Sequence, residues 1–302
     1  MMHKRFHGFV GFMVLVLTAA PAHAQVIKAD APQQDEDSQG DVKPDGKGSF
    51  AKARSGNGIF YHGGPLLLGT PAIYYIWYGN WSSNTAVSIL SDFGQNLGGS
   101  PYYNINTTYY DGSKTHLSNS IHFGGGATDS YSQGTALSDG GVQAVVASAI
   151  SRGRLPKDSN GVYFVLTSAD VNETSGFCTR YCGWHTSGTI SGSDIKFSFV
   201  GNPDRCPAAC AQQTTNSPNG NVGADGMASI IAHEFEESAS DPDLNAWYDR
   251  RGAENADKCA WTFGATYTTN NGSLANMKLG QRDFLIQQNW VNAAGGYCAL
   301  RY

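Results

Sequence analysis

The chain has 302 residues, with 20 basic and 25 acidic side chains and a net charge of −5 when histidine is neutral. This acidic balance gives no electrostatic support for binding nucleic acids or anionic membranes, so we expect neither as a partner. Hydrophobic residues make up 40% of the chain, which at this length is enough for a sizeable core.

The first 24 residues have the pattern of a secretion signal. The basic start MMHKRFHG is followed by an apolar run at 9–20 and then by Ala22-His23-Ala24, a small-x-small cleavage site. The apolar run is too short to span a bilayer. We therefore expect a secreted protein, in the extracellular space, the periplasm or the cell wall, with no membrane attachment after cleavage.

Residues 25–58 are acidic, dotted with lysine and almost free of large apolar side chains. A segment of this kind cannot bury enough surface to offset its chain entropy, so we expect a disordered acidic linker. Aromatic and apolar residues become frequent from residue 59 onward. We predict one folded domain over residues 59–302.

The folded part alternates between the periodicities of strands and helices. Segments rich in β-branched and aromatic residues predict strands at 71–78, 102–110, 117–123, 161–167 and 195–200. Helical spacing predicts helices at 85–97 and 141–151, and residues 274–302 predict a hairpin and further sheet. The fold class is therefore α/β (α+β), as a single domain with a central mixed β-sheet flanked by helices.

The six cysteines are an even number, which in an exported chain favours three disulfides. Two C-x3-C pairs, at 178/182 and 206/210, would also suit a zinc site, but the export signal favours disulfides. We expect Cys259 to pair with Cys298 and the other four cysteines to pair among themselves.

The segment 225–259 contains the most distinctive pattern in the chain. Asp225 is a suitable N-cap, and Pro242 cannot continue a helix, which predicts a helix over residues 226–240. At about 100° per residue, His233, Glu234 and Glu237 share one sector of this helix, next to an apolar stripe.

Asp241 falls in the same sector if it is still helical, while Glu236 falls at its far edge. Carboxylates this close together require protons or a cation to offset their repulsion.

The pattern H-E-x-x-E at 233–237 suggests a metal site similar to that of zincin metallopeptidases. There two histidines at i and i+4 bind zinc and the intervening glutamate is the general base. Here the second ligand position is Glu237, whose carboxylate is an acceptable zinc ligand. Glu234 is then the candidate catalytic base of a zincin-like active-site helix.

A third ligand has to come from the acidic segment after the helix. Its candidates are Asp249, Glu254 and Asp257, of which we take Asp257. One imidazole with two carboxylates is a harder ligand set than most hydrolytic zinc sites use, so Mn²⁺ and Ca²⁺ compete with zinc. The alternative without a metal is an acidic helix face on which His233 pairs with Glu237.

Other polar residues carry weaker signals. His62 and His185 lie beside a turn and a cysteine, where a single histidine is more often structural than functional. A triad of Ser168, Asp170 and His185 is disfavoured because no G-x-S-x-G motif is present.

Several short motifs, in order along the chain, resemble those of the EXORDIUM / phosphate-induced protein 1 family of secreted proteins. They are YHGGP at 61–65, IWYGNW at 76–81, GFC at 176–178, CGWH at 182–185, VGN at 200–202, CP at 206–207, NG at 219–220, DGM at 225–227 and FLIQQNW at 284–290. The resemblance covers almost all of the predicted domain. It implies an extracellular or wall-associated protein whose plant relatives are linked to growth.

Two functions follow from these observations. The first is a metal-dependent hydrolase, most plausibly a peptidase that acts on peptides. The alternative is a non-catalytic extracellular protein that binds cell-wall polysaccharide or another partner.

Overall fold

The computed structural model describes Met1 and residues 58–302, within which there are four α-helices and fifteen strands. The helices are α1 (Ala86–Leu97), α2 (Asp139–Ser151), α3 (Pro207–Cys210) and α4 (Val222–Ser240). The strands are β1 (Phe60–Tyr61), β2 (Ala72–Tyr78), β3 (His122–Asp129), β4 (Ala136–Leu137), β5 (Gly161–Thr167), β6 (Asn172–Glu173), β7 (Gly183–Ile190), β8 (Ser193–Val200), β9 (Trp247–Tyr248), β10 (Tyr267–Thr268), β11 (Leu274–Ala275), β12 (Met277–Leu279), β13 (Arg282–Phe284), β14 (Asn289–Val291) and β15 (Tyr297–Ala299). Residues 2–57, with the rest of the predicted signal and nearly all of the predicted linker, lie outside the described part.

The central sheet has five strands in the order β3-β2-β5-β8-β7. The first four are parallel, and β7 pairs with β8 in the antiparallel sense. All seven residues of β2 and all seven of β5 are buried. This is the expected condition of central parallel strands, whose apolar runs are covered on both faces.

The helices cover this sheet and enclose one main hydrophobic core. Helix α4 packs on β5, β7 and β8 and also contacts α1, while α2 packs on β5 and β8. The remaining strands form short two-stranded pairs, among them the β12–β13 and β14–β15 hairpins near the C-terminus. The predicted mixed α/β domain with a central sheet is confirmed.

One predicted strand is wrong, because residues Tyr103–Thr108 form a 3-10 helix. The hydroxyls of Thr107 and Thr108 donate to the backbone oxygens of Asn104 and Ile105, three residues earlier. Such side-chain bonds satisfy carbonyls that a strand would have given to a neighbour. The segment was predicted as a strand because it is rich in aromatic and β-branched residues, which outweighed its local preference for a 3-10 helix.

Strand β3 begins near the end of the predicted strand at 117–123 and continues through three glycines. A Cβ at Gly124 would overlap the ring of Tyr74 in β2. The glycine run therefore does not break the strand, since it makes room for a large aromatic side chain in the neighbouring strand.

Three disulfides link the described cysteines, as the even count predicted. Cys259 pairs with Cys298, which confirms that expected bond, and the other bonds are 178–206 and 182–210. The last two join the C-x3-C pairs into parallel links between the start of β7 and the segment around α3. Among the described residues, no helix has the length and apolar character that crossing a membrane would need.

The core around α4 gives a direct test of this packing. Phe235 has no exposed surface and contacts the rings of Tyr103 and Phe164, with centroid separations of 5.6 and 6.2 Å. We expect Phe235→Ala to lower the free energy of unfolding by about 3–5 kcal/mol, because it leaves a buried cavity. Guanidinium denaturation measures this change.

Phe60 provides the control, since its side chain is 48% exposed. We expect Phe60→Ala to cost less than about 1 kcal/mol. Equal losses at both positions would contradict the position of Phe235 at the centre of the core.

Candidate metal centre

Helix α4 begins one turn earlier than its sequence predicts. Its N-cap is Asn221, whose side-chain oxygen accepts from Ala224 N at 3.0 Å. The predicted cap, Asp225, lies in the first turn and accepts from the backbone N–H and side-chain amide of Asn219 at 2.8 and 2.6 Å. The predicted end at Ser240 is confirmed, with Asp241 as the C-cap.

The helix is buried on every side, from Gly223 to Ser240. Glu236, predicted at the far edge of the functional sector, is also fully buried and accepts from Asn289 Nδ2 at 2.6 Å. Burial raises the pKa of Glu236 well above its ordinary value, and the charge of Glu237 adds to the effect. The acidic residues of α4 therefore lie in the interior of the protein.

His233, Glu237 and Asp257, the three predicted metal ligands, lie close together. His233 Nε2 lies 3.1 Å from Glu237 Oε1 and 3.4 Å from Asp257 Oδ1. One ligand atom from each residue lies within 4.8 Å of the other two. The i, i+4 spacing places the first two on one face of α4, and the third comes from the 3-10 helix Asp257–Cys259.

Asp257 is fixed in place by its own backbone and by its neighbours. Its N–H donates to Glu237 Oε1 at 3.1 Å, and its Oδ2 accepts from Glu254 N at 3.1 Å. The Cys259–Cys298 disulfide joins the same short helix to β15. The third candidate ligand is therefore positioned by hydrogen bonds and a nearby covalent link.

A second histidine reaches the cluster from the central sheet. Strand β7 comes very close to α4 at Gly183, where a Cβ would lie 2.6 Å from Ile230 Cγ2 and 2.9 Å from Glu234 Oε1. Because side chains alternate along a strand, His185 shares this face of β7 with Gly183. The absence of a side chain at Gly183 thus lets the strand bring His185 up to α4.

His185 contacts two carboxylates there. Its Nε2 lies 3.0 Å from Glu254 Oε2 and 3.8 Å from Glu237 Oε2. Burial and, to a smaller extent, the nearby His233 together lower the pKa of His185 from 6.5 to about 3, although Asp257 opposes the shift. The imidazole is therefore neutral over the physiological range, as a metal-ligating histidine must be.

From its sequence context His185 was expected to be structural, and the structure places it in the cluster. It is far from His233 along the chain, and no single motif contains both histidines. Strand β7 (Gly183–Ile190), which was not predicted, is the element that brings His185 close to His233. Its only local signal was the alternation that puts Gly183 and His185 on one face of a strand.

Glu234, the candidate base, has no exposed surface. Its carboxylate belongs to a second group of metal-binding character, in which ligand atoms of His185, Glu234 and Glu237 all lie within 4.8 Å of one another. Glu237 is common to both groups. The structure thus brings the three candidate ligands and the candidate base to one place.

The other candidates lie elsewhere or make different contacts. Asp249 accepts from the N–H groups of Arg251 and Ala253 and pairs with Lys258 Nζ at 2.9 Å. Ser168 Oγ donates to Asp170 Oδ1 at 2.6 Å. Since the described contacts of His185 are with Glu237 and Glu254, the disfavoured serine triad does not form.

The donor set suits a divalent transition metal. Two imidazoles with carboxylates are softer than the single histidine that the sequence suggested, which moves the balance toward zinc. The centre is enclosed, because His233 and both glutamates of the motif are buried and Asp257 exposes only 14% of its side chain.

Comparison with known proteins identifies one family. The sequence model described as "Phosphate-induced protein 1 conserved region" matches residues 59–289. The chain is 31% identical to Protein EXORDIUM-like 3 of Arabidopsis thaliana, across 79% of this chain and 81% of that protein. It is 33% identical to Protein EXORDIUM-like 5 of the same plant, across 76% and 74%.

A similarity to Protein PHOSPHATE-INDUCED 1 of Nicotiana tabacum, at 29% identity, covers 62% of this chain and 66% of that protein. No solved structure matches the chain.

The C-cap of α4 predicts a pH dependence of stability. Asp241 Oδ1 accepts from the N–H groups of Asn245 and Ala246, each at 2.6 Å. Burial nevertheless raises the pKa of Asp241 from 3.8 to about 7. The folded protein therefore holds this proton more tightly than the unfolded chain, and the associated stability is lost as the pH rises from about 4 to about 7.

In Asp241→Asn this titration is absent. We expect the stability of the variant relative to the natural protein to rise between pH 4 and pH 7, by at most about 4 kcal/mol. Urea denaturation across this pH range provides the measurement. A difference that stays constant with pH would contradict the assignment.

Proposed function

The chain belongs to the phosphate-induced protein 1 family, and on that premise we propose that it is a secreted EXORDIUM-like protein whose helix α4 holds a divalent metal ion. The three disulfides support an extracellular site, because such bonds persist in oxidising compartments. The signal pattern at residues 1–24 supports export independently.

The observation that carries the metal proposal is the meeting of His233, Glu237 and Asp257. Their closest ligand atoms lie 3.1 and 3.4 Å from His233 Nε2, inside a protein interior where carboxylates are costly to bury without a compensating charge. A divalent cation removes this cost and uses all three residue types as ordinary ligands. His185 adds a second imidazole close to Glu237, which favours zinc over Mn²⁺ and Ca²⁺.

The same centre supports hydrolysis of the metallopeptidase type. A bound metal ion lowers the pKa of water and polarises a carbonyl group. Glu234 follows His233 directly and lies beside Glu237 and His185, which supports it as the group that would take a proton from such a water. The substrate class that fits this chemistry is a peptide.

One observation favours a second, non-catalytic function. Glu234 and Glu237 have no exposed surface and His233 exposes 1%, whereas a hydrolytic centre must admit its substrate. A metal in this position would instead stabilise the join between α4, β7 and the segment 254–257. The protein would then act outside the cell by binding a partner such as wall polysaccharide through another surface.

Metal content tests the shared premise of both functions. We expect natively purified, untagged protein to contain at least one divalent transition metal ion per chain, measured by elemental analysis before and after chelation. His233→Ala should reduce the content sharply, because it removes the central ligand of the cluster.

His62→Ala is the control, since this exposed histidine stacks on Tyr248 rather than facing the cluster. Natural protein without stoichiometric metal would refute the proposal, as would equal metal content in the two variants.

Glu234→Gln separates the hydrolase from the binding protein. If the centre is hydrolytic, the variant should lose at least about a hundredfold in peptide hydrolysis, the usual contribution of a general base. The folded state is checked by near-ultraviolet circular dichroism. Glu236→Gln, two residues along the same helix, is the matched control and should retain activity because Glu236 bonds to Asn289.

Hydrolysis that survives in Glu234→Gln would remove the catalytic role of this residue. Lack of peptide hydrolysis in metal-loaded natural protein would favour the non-catalytic function.

A further inference from the structure

We propose that the centre holds two divalent metal ions, with the carboxylate of Glu237 bridging them. This inference rests on the proposed metal site and extends it from one ion to two. The first ion is bound by His233, Glu237 and Asp257, and the second by His185, Glu234 and Glu237.

The ligand atoms divide into two groups rather than one. His233, Glu237 and Asp257 form a group whose ligand atoms lie within 4.8 Å of one another, and His185, Glu234 and Glu237 form another. Each group has one imidazole and two carboxylates. Only Glu237 belongs to both, so it stands between two sets of similar chemistry.

The orientation of Glu237 matches a bridging role. Its Oε1 lies 3.1 Å from His233 Nε2, while its Oε2 lies 3.8 Å from His185 Nε2. The two oxygens of one carboxylate therefore face two different imidazoles. A carboxylate that binds one ion through each oxygen suits a pair about 3.5–4 Å apart, the usual spacing in two-metal hydrolytic sites.

The charge of the surrounding ligands matches two ions better than one. Glu234, Glu237 and Asp257 supply three carboxylates, and Glu254 adds a fourth at 3.0 Å from His185 Nε2. With all four ionised, these carboxylates carry a formal charge of −4, which two divalent cations balance. A single divalent ion would leave two negative charges in a buried place, at a high cost in desolvation.

The second ion changes the role of one residue. In a one-ion centre Glu234 would act as the base, whereas in a two-ion centre its carboxylate would bind the second ion. Two such ions would supply a bound water as the nucleophile, which is the chemistry of two-metal hydrolases. Loss of Glu234 impairs hydrolysis in either case, so activity cannot distinguish the two arrangements and ion stoichiometry must.

The test uses Mn²⁺ as the probe with untagged full chain that has been freed of metal. Equilibrium dialysis gives the number of ions bound per chain, and electron paramagnetic resonance reports whether two Mn²⁺ ions are close enough to couple. We expect two Mn²⁺ ions per chain. The coupled signal should increase as the added Mn²⁺ rises from one to two equivalents per chain.

Variants identify the two positions. His185→Ala removes a ligand of the second ion, so this variant should bind one ion and give an uncoupled signal. Asp257→Asn removes a ligand of the first ion and should likewise bind one ion with an uncoupled signal. His62→Ala, which lies outside the cluster, should still bind two coupled ions. Circular dichroism of each variant confirms folding, and the natural protein alone decides the question if a variant fails to fold.

The outcomes separate this inference from the function it extends. One ion per chain in the natural protein refutes the second site and leaves the proposed metal centre standing. No bound ion refutes both. Two ions without coupling, or two coupled ions in His185→Ala, also refute the bridged arrangement.

Discussion

The rest of the structure depends on the complete burial of α4. This helix of 19 residues runs through the interior between the sheet, α1 and the segment that follows it, and its acidic residues are buried with its apolar ones. Each buried polar group needs a partner in the interior, because water is excluded. The side-chain amide of Asn289 donates to the carboxylate of Glu236, and the imidazoles of His185 and His233 lie beside the carboxylate of Glu237.

This constraint explains which parts of the fold could be predicted. The buried strands β2 and β5 are apolar throughout, and their limits were predicted almost to the residue. The end of α4 was also predictable, because Pro242 sets it. The start was not, since Asn221 and Asp225 are both good capping residues and only tertiary contacts decide between them.

The candidate site divides in the same way. His233, Glu234 and Glu237 were predictable because helical periodicity relates residues that are close in sequence. Asp257 was one of three acidic candidates, and its hydrogen bond to Glu237 separates it from Asp249. His185 was missed because it depends on a sheet register and on the close approach at Gly183, neither of which leaves a pattern in one short segment.

The Cys259–Cys298 disulfide also restrains one side of the ligand cluster. Cys259 lies in the same short helix as Asp257, and its bond fixes that helix to the C-terminal hairpin. The reduced chain lacks this link, so the segment around Asp257 keeps more conformational freedom before oxidation. Asp257 is therefore held close to α4 more firmly in the oxidised chain than in the reduced chain.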